Sequence, residues 1–148
     1  MRLRVLLALS LLIGLPMMVS ASPGAPTIVT PDQVKWSPGT GPLAGTEMTV
    51  LVGDPSKAGP FTIRLRIPDG AKLGAHYHAD TERVTVLSGT LLVGIGDNLV
   101  ESSMTALPAG SFVSIPAGVH HYAMAKGETI LQIGGTGPFS MTAVEPAK

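Results

Sequence analysis

Turn-forming residues recur so densely along this chain that no long helix fits between them. There are 18 Gly and 13 Pro in 148 residues. From Thr46 onward, short β-branched runs alternate with clusters such as Gly53-Asp54-Pro55-Ser56, Pro68-Asp69-Gly70 and Gly96-Asp97-Asn98. Runs of this length, bounded by such residues, predict strands. The runs are 46–52, 61–67, 83–87, 90–95, 111–115, 119–125, 129–133 and 139–144, with 83–87 and 90–95 joined through Ser88-Gly89. In 61–67 the alternation is strict: Phe61, Ile63, Leu65 and Ile67 share one face, and Thr62, Arg64 and Arg66 share the other. Eight or more short strands predict an all-β fold, a double-sheet jelly-roll barrel.

The first 21 residues read as a secretory signal peptide. Arg2 and Arg4 form a basic start, 5–19 an apolar stretch, and Val19-Ser20-Ala21 the cleavage site. The apolar stretch contains Gly14 and Pro16 and is shorter than the roughly 20 residues a spanning helix needs. The two arginines are not adjacent, which favours the Sec route over the twin-arginine one. Cleavage after Ala21 leaves 22–148, a periplasmic or secreted protein with no membrane attachment, carrying eight basic and ten acidic side chains. That balance offers no footprint for nucleic acid. Without cysteine there is no disulfide, no thiolate chemistry and no lipid-anchored signal. Residues 22–45, rich in Pro, Gly, Thr and Ser, read as an extended N-terminal arm whose one large aromatic is Trp36. It packs on the barrel of 46–148 or on a second subunit.

The four histidines fall in two short stretches, His76-Tyr77-His78 and His120-His121. Residues two apart on a strand point the same way, so His76 and His78 can present imidazoles to one point while Tyr77 faces away. Glu82 follows closely enough for a bend to bring its carboxylate there. A distant strand adds a further imidazole. Three imidazoles and one carboxylate suit one divalent transition metal ion, with zinc, manganese, iron, copper and nickel all acceptable.

Those stretches resemble the two motifs of the cupin superfamily. Gly70, His76, His78, Glu82 and Gly89 match the first, G-x5-H-x-H-x3-E-x6-G, at every defined position. Gly110, Pro116, Gly118 and His121 match the second, G-x5-P-x-G-x2-H-x3-N, which departs at its end, where Ala125 replaces Asn. The chain is similar to small, exported, single-domain bacterial cupins. The resemblance implies a cupin-type double-stranded β-helix with His76, His78, Glu82 and His121 as metal ligands, and a pairing of barrels into a homodimer. With His121 as the ligand, strand alternation turns His120 outward, to the surface or rim. Asn is not a ligand in the family pattern, so Ala125 affects local support or pocket polarity.

The remaining residues take plainer roles. Tyr77 and Tyr122 pack outside the barrel, and Arg64 and Arg66 lie on a solvated or subunit-facing surface. Asp80 is a loop acid, with orientation of an imidazole as the alternative. Met48, Met104, Met124 and Met141 are fillers. Three functions fit: a metal-dependent, dioxygenase-like enzyme acting on a small organic molecule, a non-catalytic ligand- or metal-binding sensor module, and a purely structural metal site. No second carboxylate or other general base accompanies the cluster in sequence, which favours metal-centred chemistry among the enzymatic options. The catalytic residues beyond the ligands are not identified.

Overall fold

The computed structural model describes residues 24–145; the expected signal peptide and its cleavage point after Ala21 lie outside them. Nine strands run through the described residues: β1 (Ser37–Pro38), β2 (Glu47–Val52), β3 (Gly59–Ile67), β4 (Lys72–Tyr77), β5 (Glu82–Ile95), β6 (Thr105–Pro108), β7 (Phe112–Ile115), β8 (His121–Gly137) and β9 (Thr142–Ala143). The only helical pieces among these residues are three single 3-10 turns, Pro31–Gln33, Gly41–Leu43 and Glu101–Ser103. The fold is all-β, as the punctuation predicts.

One antiparallel sheet curls into a barrel-like fold with β8 as its spine. The far half of β8 pairs with β3, from Gly59↔Gly137 to Ile67↔Thr129. Its near half pairs with β4, where His76 faces His121. The other edge of β8 carries β5 along nearly its whole length, and β5 in turn carries β6 and β7.

The strict alternation of 61–67 is realised on β3. Phe61, Ile63, Leu65 and Ile67 are all buried, joining Val84, Val86, Leu91, Val93, Ala123, Ala125, Leu131 and Ile133 in one core. Each fully buried aliphatic side chain contributes about 1.5–3 kcal/mol through the apolar area it removes from water. The opposite face turns outward. Arg64 Nε donates to Gln132 Oε1 at 3.3 Å. Arg66 pairs with Glu47 and lies over the Trp36 ring, 4.7 Å from its centroid. Next to Trp36, Ser37 and Pro38 pair with Met48 and Glu47, so this part of the polypeptide lies on the sheet.

Several elements differ from their sequence reading. Runs 83–87 and 90–95 are one strand, because Gly89, at a positive φ of 73°, accompanies a register shift within β5 and makes a bulge that keeps the two runs in one ladder. Runs 119–125 and 129–133 likewise fuse into β8. Of 139–144, only Thr142–Ala143 is strand; Phe139, Ser140 and Met141 precede it outside any ladder. Strand β6 has no apolar alternation to announce it.

Candidate metal centre

Four side chains from three places in the sequence meet inside the barrel. His76 lies on β4, Glu82 opens β5 and His121 opens β8. His78 sits just beyond the end of β4, in the turn leading to β5. The second motif's turn reaches across to it: the Gly118 N–H donates to the His78 carbonyl at 2.9 Å. All four side chains are buried.

Each imidazole is oriented by a backbone carbonyl. His76 Nδ1 lies 2.7 Å from Gly74 O, His78 Nδ1 2.7 Å from Ser140 O and His121 Nδ1 3.0 Å from Val119 O. A carbonyl only accepts, so each Nδ1 carries a proton and each Nε2 is the nitrogen left to offer a lone pair to a metal. Ring nitrogens of His76, His78 and His121 all lie within 4.8 Å of one another. Glu82 Oε2 adds a carboxylate 3.6 Å from His78 Nε2 and 3.5 Å from His121 Nε2.

This arrangement fits a metal ion. Lone pairs and a carboxylate facing one another out of water repel unless a cation sits between them. His78 Nε2 is buried with no hydrogen-bond partner, an orphan that coordination would satisfy. Burial, with lesser contributions from His121 and His78, lowers the His76 pKa to about 4 against the opposing effect of its Gly74 bond and Glu82. The ring is therefore neutral near pH 7, as a ligand must be. Carbonyl-anchored Nδ1–H groups are the usual outer support of ligating histidines.

The cluster opens onto a cavity of about 300 Å³. Its walls include Ile63, Leu65, Val84, Leu91, Leu131 and Ile133. Apart from the three histidines and Glu82, the polar side chains lining it among the described residues are Thr40 and Ser56. Neither was singled out by the sequence, where both sit in turn-rich text without a motif.

The other sequence assignments resolve as follows. His120 lies on the outside, with Nδ1 2.7 Å from Asp97 Oδ1 and its ring stacked on Tyr77 at 5.1 Å. Tyr122 is buried on the outer side of the sheet over Gly94, outside the core cluster. Asp80 accepts from the Thr81 N–H and orients no imidazole; backbone carbonyls do that work. Ala125 belongs to the apolar core, so its place in the motif concerns packing. Met48 and Met141 line the cavity. The sequence also missed Phe139, whose ring stacks on His78 at 4.5 Å and 15°. That contact spans about sixty residues and leaves no local signal.

A family model described as the ChrR cupin-like domain matches residues 25–140. No curated protein matches the sequence. Among solved structures, a candidate acetylacetone dioxygenase from Methylibium petroleiphilum is 18% identical, covering 88% of this chain and 91% of its own, with a TM-score of 0.66. The polyketide cyclase RemF from Streptomyces resistomycificus is 16% identical over 84% of this chain and 89% of its own, with a TM-score of 0.64. A chain in the Rhodobacter sphaeroides complex of SigE with the anti-sigma ChrR is 19% identical over 73% of this chain and 52% of its own, with a TM-score of 0.54. At these identities the similarity is one of fold.

Proposed function

The chain belongs to the ChrR cupin-like domain family, and from the site it builds on that fold we propose that it is an exported, mononuclear metal-dependent oxygenase acting on a small, uncharged organic molecule. The observation that carries this reading is the pairing of a converged His76–His78–His121 cluster with an otherwise almost apolar cavity. Apart from the four grouped side chains, the described lining offers no titratable group to act as a general acid or base. Proton-shuffling chemistry of the isomerase kind has no second player here.

His76, His78, Glu82 and His121 would hold one divalent transition ion. When bound, a redox-active ion supplies a meeting point for dioxygen and a substrate oxygen. The chain's own contribution is arrangement. Carbonyls of Gly74, Ser140 and Val119 fix the three tautomers, Glu82 offsets the ion's charge, and the aliphatic walls exclude water. Dioxygenation suits such a site, since both atoms of O2 enter the substrate as a carbon–carbon bond breaks and no external reductant is consumed.

The test is dioxygen uptake by residues 22–148 loaded in turn with iron, manganese, copper and nickel. The substrate panel consists of small enolisable diketones, with acetylacetone included because of the structural similarity above. We expect uptake stoichiometric with substrate loss, absent from the His76→Ala/His121→Ala variant. Full metal loading with no uptake across the panel contradicts the oxygenase reading.

The family match and the similarity to the ChrR-containing complex favour a second reading, a module that captures a ligand without turning it over. Ligand-dependent stabilisation of the metal-loaded protein with no loss of ligand supports that reading, as does stoichiometric native zinc.

A further inference from the structure

The three imidazoles are not supported alike. The carbonyls that orient His76 and His121 lie two residues away on their own segments, at Gly74 and Val119. His78 depends on Ser140, 62 residues on. Its backbone has already left β4, so the strand ladder does not fix it. One face of its ring is covered by Phe139. The segment 139–144 is held in turn by few bonds. The Phe139 N–H donates to Pro55 O at 2.7 Å and the Val144 N–H to Ala75 O at 2.9 Å. The Phe139 ring meets Phe61 at 5.1 Å, and the two-residue β9 pairs with β4 at His76↔Ala143 and Tyr77↔Thr142.

We propose that 139–144 is a strap whose closure positions His78, so that metal binding and strap closure stabilise each other. Phe139 is a positioning residue acting through His78. With the strap lifted, His78 loses both its Nδ1–H acceptor and its stacking partner, and its free rotamers weaken coordination. Linkage makes the effect reciprocal: an ion that binds the closed form better must favour closure by the same factor. Because Phe139 and Met141 also line the cavity, closure sets the cavity wall as well as the ligand.

The inference rests on the metal-binding reading above, and Co²⁺ titration with hydrogen exchange separates the two. In the unsubstituted protein, Co²⁺ should slow exchange at the Phe139 and Val144 amides. Phe139→Ala should weaken Co²⁺ binding by about 10- to 100-fold, the range seen when support of a ligating histidine is lost. In a His78→Ala background the same change should cost nothing further, because its route to the metal is gone. An equal loss in both backgrounds overturns the positioning role, as does exchange at the two amides that is indifferent to Co²⁺. Failure of the unsubstituted protein to bind Co²⁺ overturns the metal reading itself, and the strap's role with it.

Discussion

Glu82 shows most sharply how the proposed metal site would set stability against binding. Glu82 is 7% exposed, and among the described residues its carboxylate faces the imidazoles of His78 and His121 and pairs with no lysine or arginine. A buried charge without a full partner carries a desolvation cost on the order of several kcal/mol that an apolar side chain of similar size does not. Chemical denaturation in chelator should therefore find Glu82→Leu at least as stable as the unsubstituted protein. The same variant should lose the rise in melting temperature on metal addition. For the unsubstituted protein, at a metal concentration 100 times Kd, binding adds about 2.7 kcal/mol, a shift of about 10 °C for a domain of this size. His76 sets a pH dependence in the metal-free form. Its folded pKa, about 4, lies below the ordinary 6.5, so the unfolded chain takes up the proton first. Stability is fully present above about pH 6.5 and falls as pH drops toward 4, by up to about 1.4 kcal/mol per pH unit from this group. Denaturation midpoints between pH 4 and 7, measured in chelator, check the slope and its sign.

At the scale of the elements, Gly89, Gly94 and Ala125 have structural duties that can be measured. A Cβ at Gly89 would lie 2.4 Å from Glu128 O, at a backbone φ of +73° that disfavours other residues. A Cβ at Gly94 would lie 2.2 Å from the Tyr122 ring. Gly89→Ala and Gly94→Ala should each destabilise by about 1–3 kcal/mol in equilibrium unfolding. Restoring the family Asn at Ala125, which is 1% exposed, puts an amide into an apolar core. The cost should be about 1–3 kcal/mol, with metal stoichiometry unchanged. These elements also show where reading the sequence succeeds and stops. The alternation of 61–67 announced a strand and its buried face because every second residue is large and apolar. The four grouped side chains were legible because their types and spacing are rare together. The fusion of two runs into β5 was not, since Gly89 at a bulge looks locally like Gly89 in a turn. The strap was also hidden: Ser140 acts through its carbonyl, which every residue has, and Phe139 finds His78 only through the tertiary fold.

Taken as a whole molecule, the chain combines a barrel whose cavity is lined by three histidines and Glu82 with an N-terminal segment that we read as an export signal. If 1–21 is removed by a signal peptidase, the protein recovered from the periplasm or medium should have a mass that begins at Ser22. Intact-mass measurement decides this, and a full-length chain retained in the cell contradicts export. Export by the Sec route would also bear on the metal, because a chain that folds after translocation would take its ion from outside the cytosol. The central claim, that His76, His78, Glu82 and His121 hold one ion, is tested most directly by the metal content of 22–148 beside its His76→Ala/His121→Ala variant. The account predicts one equivalent of a transition metal in the first and none in the second. No metal in the unsubstituted protein under any loading condition would contradict it.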